Sequence, residues 1–204
     1  MRYCERIESI IKSEEFRKKL ESISDNFFNL KQEIPIRNYL VERYNEIYIN
    51  SKAFAEYPRE KNKRVDISLI SNNKDITPFL LEIKFNYPKD SKFFSEFRYT
   101  LNDDFCENRI ESLKLSTSMF MLIVANWDKE EMNGINKRFN INHNLNNYIS
   151  EKEPWKYNIE KLFLEESKKG HYYSNLTLRI NKPIEIFYSF FILVRDNHLN
   201  FSDE

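Results

Sequence analysis

The sequence predicts an α/β fold, a central mixed β-sheet flanked by α-helices in a single domain. Three observations carry that expectation. Short apolar runs rich in β-branched and aromatic residues, at 64–70, 79–85, 119–125, 172–180 and 184–194, read as strands. Segments whose apolar residues recur at helical spacing lie before and between them. The chain of 204 residues, 41% hydrophobic and 15% aromatic, is long enough for one domain with a sizeable core.

Composition narrows the function. Only 2 glycines occur, which excludes Gly-rich phosphate loops of the Walker or Rossmann type. The 32 basic and 32 acidic residues cancel, so a nucleic-acid partner needs a local basic face. No 18-residue apolar run is present, and Arg2, Glu5, Arg6 and Glu8 replace a signal-peptide core, so no membrane partner is expected. Cys4 and Cys106 are too few for a disulfide framework, which points to a reduced, cytoplasmic protein. His143, His171 and His198 lie apart and match no metal-ligand spacing.

In chain order, 6–30 predicts an amphipathic helix or helical pair on Ile7, Ile10, Ile11, Leu20, Ile23, Phe27 and Leu30, with a break at 22–26. Its expected role is packing or a dimer arm. A second helix runs from about Pro35 to Tyr48, with Arg37, Leu40, Tyr44 and Ile47 on one stripe and Glu33 just ahead. Residues 53–57 read as a first strand pairing with the strand that carries Asp66. Between them stands a loop with Arg59, Lys61 and Lys63, followed by Arg64. Such a loop is either solvated or, beside an active site, a holder of phosphates.

Alternation along 64–70 puts Val65, Ile67 and Leu69 on one face and Asp66 on the other. Turn formers at 71–75 and Pro78 separate it from 79–85, where Leu81, Ile83 and Phe85 oppose Glu82 and Lys84. Pairing these strands joins the apolar faces and brings Asp66, Glu82 and Lys84 together. Each charge interrupts an apolar strand, where an unpaired buried charge is costly. Residues 91–99 interleave aromatics with Lys92 and Arg98, a pattern for core or for tracking nucleic acid. A helix is expected over 100–115, on Leu101, Phe105, Ile110 and Leu113, with Asp103 and Asp104 in an acidic first turn. The run 119–125 suits a strand covered on both faces.

The Asn-rich stretch 126–155 reads as a polar excursion without core. It is either a DNA-contacting loop, since Asn reads adenine edges, or ordinary surface. A helix over 157–169, with Ile159, Leu162 and Phe163 inward, stops at Gly170. Two closing strands follow, and the aromatic run 186–191 must be buried in core or in a subunit interface.

Asp66 followed by Glu82-Ile83-Lys84 resembles the signature of the PD-(D/E)XK nuclease superfamily, which includes many restriction endonucleases. Val65 stands where the family has Pro. The resemblance covers about 33–126, with 127–204 as a C-terminal elaboration, and implies a restriction-endonuclease-like core. The order strand, strand, strand, helix, strand agrees with it. The family often adds a helical Glu four residues before an Arg and seven before a Leu, and Glu33, Arg37 and Leu40 fit. Glu42 is the rival, roughly 180° away around an ideal helix. Glu56 ranks as a supporting residue.

The resemblance implies Mg²⁺, with Mn²⁺ as substitute, held by Asp66, Glu82 and the Ile83 carbonyl. Glu33 would reach the ion directly or through water. Oxygen ligands suit such an ion, which can polarise a phosphodiester oxygen and acidify a water. Lys84 would orient that water or stabilise charge on the scissile phosphate. The expected function is a magnesium-dependent endodeoxyribonuclease cutting double-stranded DNA, a type II restriction endonuclease acting as a homodimer on a palindromic site. The alternatives are another nuclease on this fold, such as a phage-defence effector, repair nickase or RNase, and a non-catalytic nucleic-acid-binding protein.

Overall fold

A six-stranded mixed sheet forms the centre of the molecule, its strands lying in the order Ser51–Ala55, Ile67–Ser71, Phe79–Asn86, Met119–Trp127, Ile186–Arg195 and His171–Ile180. The computed structural model describes residues 1–60, 63–88, 101–141, 144–149 and 155–201. Three helices come first, α1 (Tyr3–Lys12), α2 (Glu14–Phe27) and α3 (Glu33–Ile47). Then follow β1 (Ser51–Ala55), β2 (Arg59–Glu60), β3 (Lys63–Arg64), β4 (Ile67–Ser71), β5 (Phe79–Asn86) and β6 (Met119–Trp127). The last third holds α4 (Lys129–Arg138), α5 (Trp155–Ser167), β7 (His171–Ile180) and β8 (Ile186–Arg195). The pair β5–β6 is parallel, and its neighbours on either side are antiparallel.

The sheet is covered on both faces, and side-chain alternation decides what goes where. Leu81, Ile83 and Phe85 of β5 join Met119, Met121 and Ile123 of β6 and Tyr188, Phe190 and Ile192 of β8 under α1, α2 and α3. On the reverse face Phe120, Leu122 and Val124 meet Phe191 and Leu193, covered by Ile159 and Phe163 of α5 with Leu101 and Phe105. The double cover accounts for the unbroken apolar runs of β6 and β8. The aromatic run 186–191 is therefore core, except that Phe187 is exposed.

Several expectations need correcting. The first helical break is at Ser13, not at 22–26: Ser13 Oγ accepts from the Phe16 N–H at 3.1 Å and caps α2. Leu30 and Ile47 are exposed rather than inward. The helix expected over 100–115 is confined, among described residues, to 101–104. Beyond it the chain turns through left-handed positions at Asn108 and Lys114, with φ of 50° and 52°, and makes a small bridge between Ile110 and Leu115. Leu113, placed inward on that helix, is exposed.

The stretch 126–155 is no coreless excursion either. It contains the last residues of β6 and helix α4, capped by Asp128 on the N–H groups of Glu130 and Glu131, and it buries Met132, Ile135, Leu145 and Ile149. Asn146 joins the segment to the sheet. Its Oδ1 accepts from Trp127 Nε1 at 3.2 Å, and its amide donates to the Lys129 carbonyl and Asn133 Oδ1 at 2.9 and 2.8 Å. The expectations for 91–99, Lys61 and His143 lie outside the described residues. Among those described, no helix is long and apolar enough to cross a membrane.

Phe190 lies between layers, fully buried, with Phe16 of α2 edge-on at 5.9 Å. Phe190→Ala is expected to cost about 3–5 kcal/mol in urea unfolding, the usual range for emptying a packed aromatic site.

Candidate metal centre

Strand β5 outlasts its partner β4. Their pairing ends where Ile67 meets Leu81, while β5 continues to Asn86. The Leu80 N–H points toward β6, where it donates to Ser118 Oγ, so the N–H groups of Ile83 and Phe85 point to the vacated β4 side. Unpaired buried N–H groups are costly, and two carboxylates take them. Asp66 Oδ2 accepts from the Ile83 N–H at 2.8 Å, and Glu33 Oε2 accepts from the Phe85 N–H at 3.1 Å. Asp66 lies in a bend before β4 rather than in the strand. That bend shifts the alternation by one residue, so Val65 packs with Leu80 and Ile110 and not with Ile67 and Leu69.

Continuing the β4–β5 register by one residue sets Asp66 opposite Glu82. The two carboxyl groups are close enough for the charge of Asp66 to act directly on Glu82. Glu82 is only 2% exposed. Burial, then the charge of Asp66 with a smaller push from Asp104, raises its pKa to about 9 against the opposing pull of Arg109. Glu33 is also raised, by burial first and then by Asp66, with Lys84 opposing. Burial pulls the Lys84 ammonium down, but the carboxylates of Asp104, Glu33, Asp66 and Glu82 outweigh it and hold the group above its ordinary value.

Two residues of this centre were not legible as site residues. Arg109 Nε donates to Glu82 Oε1 at 2.8 Å, and its Nη2 lies 3.2 Å from Asp104 Oδ1. The other Asp104 oxygen faces Lys84 Nζ at 3.3 Å. Both were expected on a helix, and only the turn at Asn108 brings Arg109 back to the cleft. On the far side Arg37 Nη1 donates to Glu56 Oε1 at 2.9 Å and stands 3.8 Å from Asp66 Oδ1. Glu56 follows β1 with φ of 53° and also pairs with Arg59 and Arg64 of the small β2–β3 hairpin, at 2.9 and 3.5 Å. Lys63 of that hairpin pairs with Glu111. Glu42 is exposed over the groove between α2 and α3, away from this cluster.

The predicted Asp66, Glu82, Lys84 and Glu33 thus converge, with the Ile83 main chain at the same place and its side chain in the core. Among the described residues, no three His, Cys, Asp or Glu side chains form a ready-made cage for an ion. The donor set nevertheless fits Mg²⁺, which takes one or two carboxylates and keeps several waters. Exchanging the Glu82 proton for a cation would put positive charge where the two carboxyl groups meet. Comparison with protein-family models, curated proteins and solved structures finds no match to this chain.

The Glu82 carboxyl, pushed up to about 9 from the ordinary 4.5 by burial and the charge of Asp66, keeps its proton through neutral pH in the folded chain. Between those values the native state binds more protons than the unfolded state, so stability falls as pH rises, by up to about 1.4 kcal/mol per unit. Glu82→Gln keeps the shape without the titration. It is expected to flatten the pH dependence of urea unfolding between about pH 5 and 8, and to exceed the parent in stability at the upper end.

Proposed function

We propose that this chain is a divalent-metal-dependent endodeoxyribonuclease with a restriction-endonuclease-like core, related to the PD-(D/E)XK nucleases. The observation that carries this reading is the meeting of the Asp66 and Glu82 carboxyl groups over β5, with Lys84 on the same strand face. A structural ion pair needs one acid and one base. Two carboxyl groups brought together in a buried cleft are costly to stability and useful to a cation.

Asp66, Glu82 and the Ile83 carbonyl would hold Mg²⁺ or Mn²⁺, with Glu33 beside them. The bound ion would supply Lewis-acid activation of a phosphodiester and of a water. Asp66 and Glu82 would orient the ion, and the proton held on Glu82 would leave as the ion is bound. The ammonium of Lys84, fixed by Asp104, would steer the attacking water or neutralise charge growing on the phosphate. Arg59 and Arg64, tied to the centre through Glu56 and Arg37, would meet the DNA backbone together with Lys63 of the same hairpin. Each chain would carry one such centre, so cutting both strands of a duplex calls for a homodimer on a palindromic target. The reading extends to a type II restriction endonuclease.

Phage DNA incubated with the protein and Mg²⁺ is expected to give discrete bands. Asp66→Ala and Lys84→Ala should each lower the rate by at least about 100-fold. A smear would retain the nuclease but remove the restriction enzyme. Cleavage of RNA alone would replace the substrate class, and a gel shift with intact DNA would leave only a binding protein. Mn²⁺ binding followed by calorimetry in buffers of different ionisation enthalpy is expected to show proton release below about pH 9, with affinity rising with pH. No proton release would remove Glu82 from the ligand set.

A further inference from the structure

We infer that Arg109 is a further working side chain of this centre, paired with Glu82 until a divalent cation takes that carboxylate, and then bound to the substrate phosphate beside Lys84. The inference rests on the nuclease reading and deepens it.

The guanidinium has two separate sets of partners. Its Nε donates to Glu82 Oε1 at 2.8 Å. Its Nη1 donates to the Asp103 carbonyl at 3.1 Å, and Nη2 pairs with Asp104 Oδ1 at 3.2 Å. Only the first contact lies on the carboxylate that would bind an ion. A cation at Glu82 repels the guanidinium at short range in this partly buried site. Arg109 can yield that contact and keep the other two, so the displaced side chain already has a resting place.

That resting place is next to Lys84. One carboxylate, Asp104, holds Lys84 Nζ on Oδ2 at 3.3 Å and Arg109 on Oδ1. The two cations are therefore neighbours, and Asp104 acts as the positioning residue for both. Their side chains are 31% and 14% exposed, so both belong to the cleft rather than to the outer surface. A phosphodiester offers two anionic oxygens to such a pair. Guanidinium supplies a planar fork that matches them, while ammonium supplies a point charge. A purely supporting Arg109 would need no partner beyond Glu82 and no second cation placed alongside.

The test uses the full chain, titrated with Mn²⁺ at fixed pH by calorimetry, and DNA cleavage at saturating Mn²⁺. Arg109→Gln is expected to bind Mn²⁺ about 5- to 10-fold more tightly, because a like-charged competitor is gone. It is also expected to cut DNA about 100-fold more slowly. Arg109→Lys should keep the parent's Mn²⁺ affinity and cut at an intermediate rate. Loss of a mere support would weaken ion binding and cleavage together. Unchanged or weaker Mn²⁺ binding by a folded Arg109→Gln overturns the inference, and so does cleavage at the parent's rate. Should that variant not fold, Arg109→Lys decides alone, and undiminished cleavage by it overturns the phosphate contact. If the parent binds Mn²⁺ and cuts DNA while Arg109→Gln binds no tighter, only this inference falls. If the parent does neither, the nuclease reading falls with it.

Discussion

Two backbone N–H groups on β5, at Ile83 and Phe85, have lost the strand that would pair with them, and two carboxylates stand in its place. Everything in the candidate centre depends on that substitution of side chain for ladder. A strand edge covered by acids rather than by another strand concentrates negative charge at a buried location. Asp66 is drawn over β5 by its bond to the Ile83 N–H, and this is what sets it against Glu82. The same geometry brings Glu33 from the start of α3 to the neighbouring position, so residues distant in the chain meet along four residues of one strand.

The rest of the local electrostatics answers that concentration. Arg109 and Lys84 meet it on one side around Asp104, and Arg37 meets it on the other around Glu56. Buried ion networks of this kind contribute little net stability, because desolvation offsets most of the attraction. Apolar residues of similar size would hold β5 at least as well. Even with Arg109 beside it, burial and the charge of Asp66 keep the Glu82 carboxyl well above its ordinary range. The hairpin carrying Arg59 and Arg64 is joined to the same network through Glu56, so a ligand neutralising the hairpin would be felt at Asp66 through Arg37.

The legible parts of the fold were those where one local rule dominated. Alternation along 79–85 separates Glu82 and Lys84 from Leu81, Ile83 and Phe85, because β5 is regular throughout. The unbroken runs at 119–125 and 186–194 announce strands buried on both faces, and β6 and β8 are such strands. What misled was a local rule overridden by a distant partner. Val65 obeys alternation only if the strand continues through Asp66, and the bend there is imposed by the bond across to β5. Apolar spacing over 100–115 suggests one helix. The left-handed turn at Asn108 instead returns Arg109 to Glu82, residues with no motif linking them. The Asn-rich stretch looked too polar for core. Asn146, however, spends its polarity on Trp127, Lys129 and Asn133, so that Leu145 and Ile149 can be buried beside it.

The position of β8 has a consequence for the growing chain. It lies between β6 and β7, although it comes last in the chain among the six described strands of the sheet. Until it arrives, β6 presents one open edge, with the earlier strands already laid against its other side. During synthesis the sheet thus keeps one strand edge open until β8 is laid in. The closing ribbon β7–β8 must reach that edge ahead of any other chain, and a ribosome that stalls after α5 would release a sheet still open along its most apolar strand.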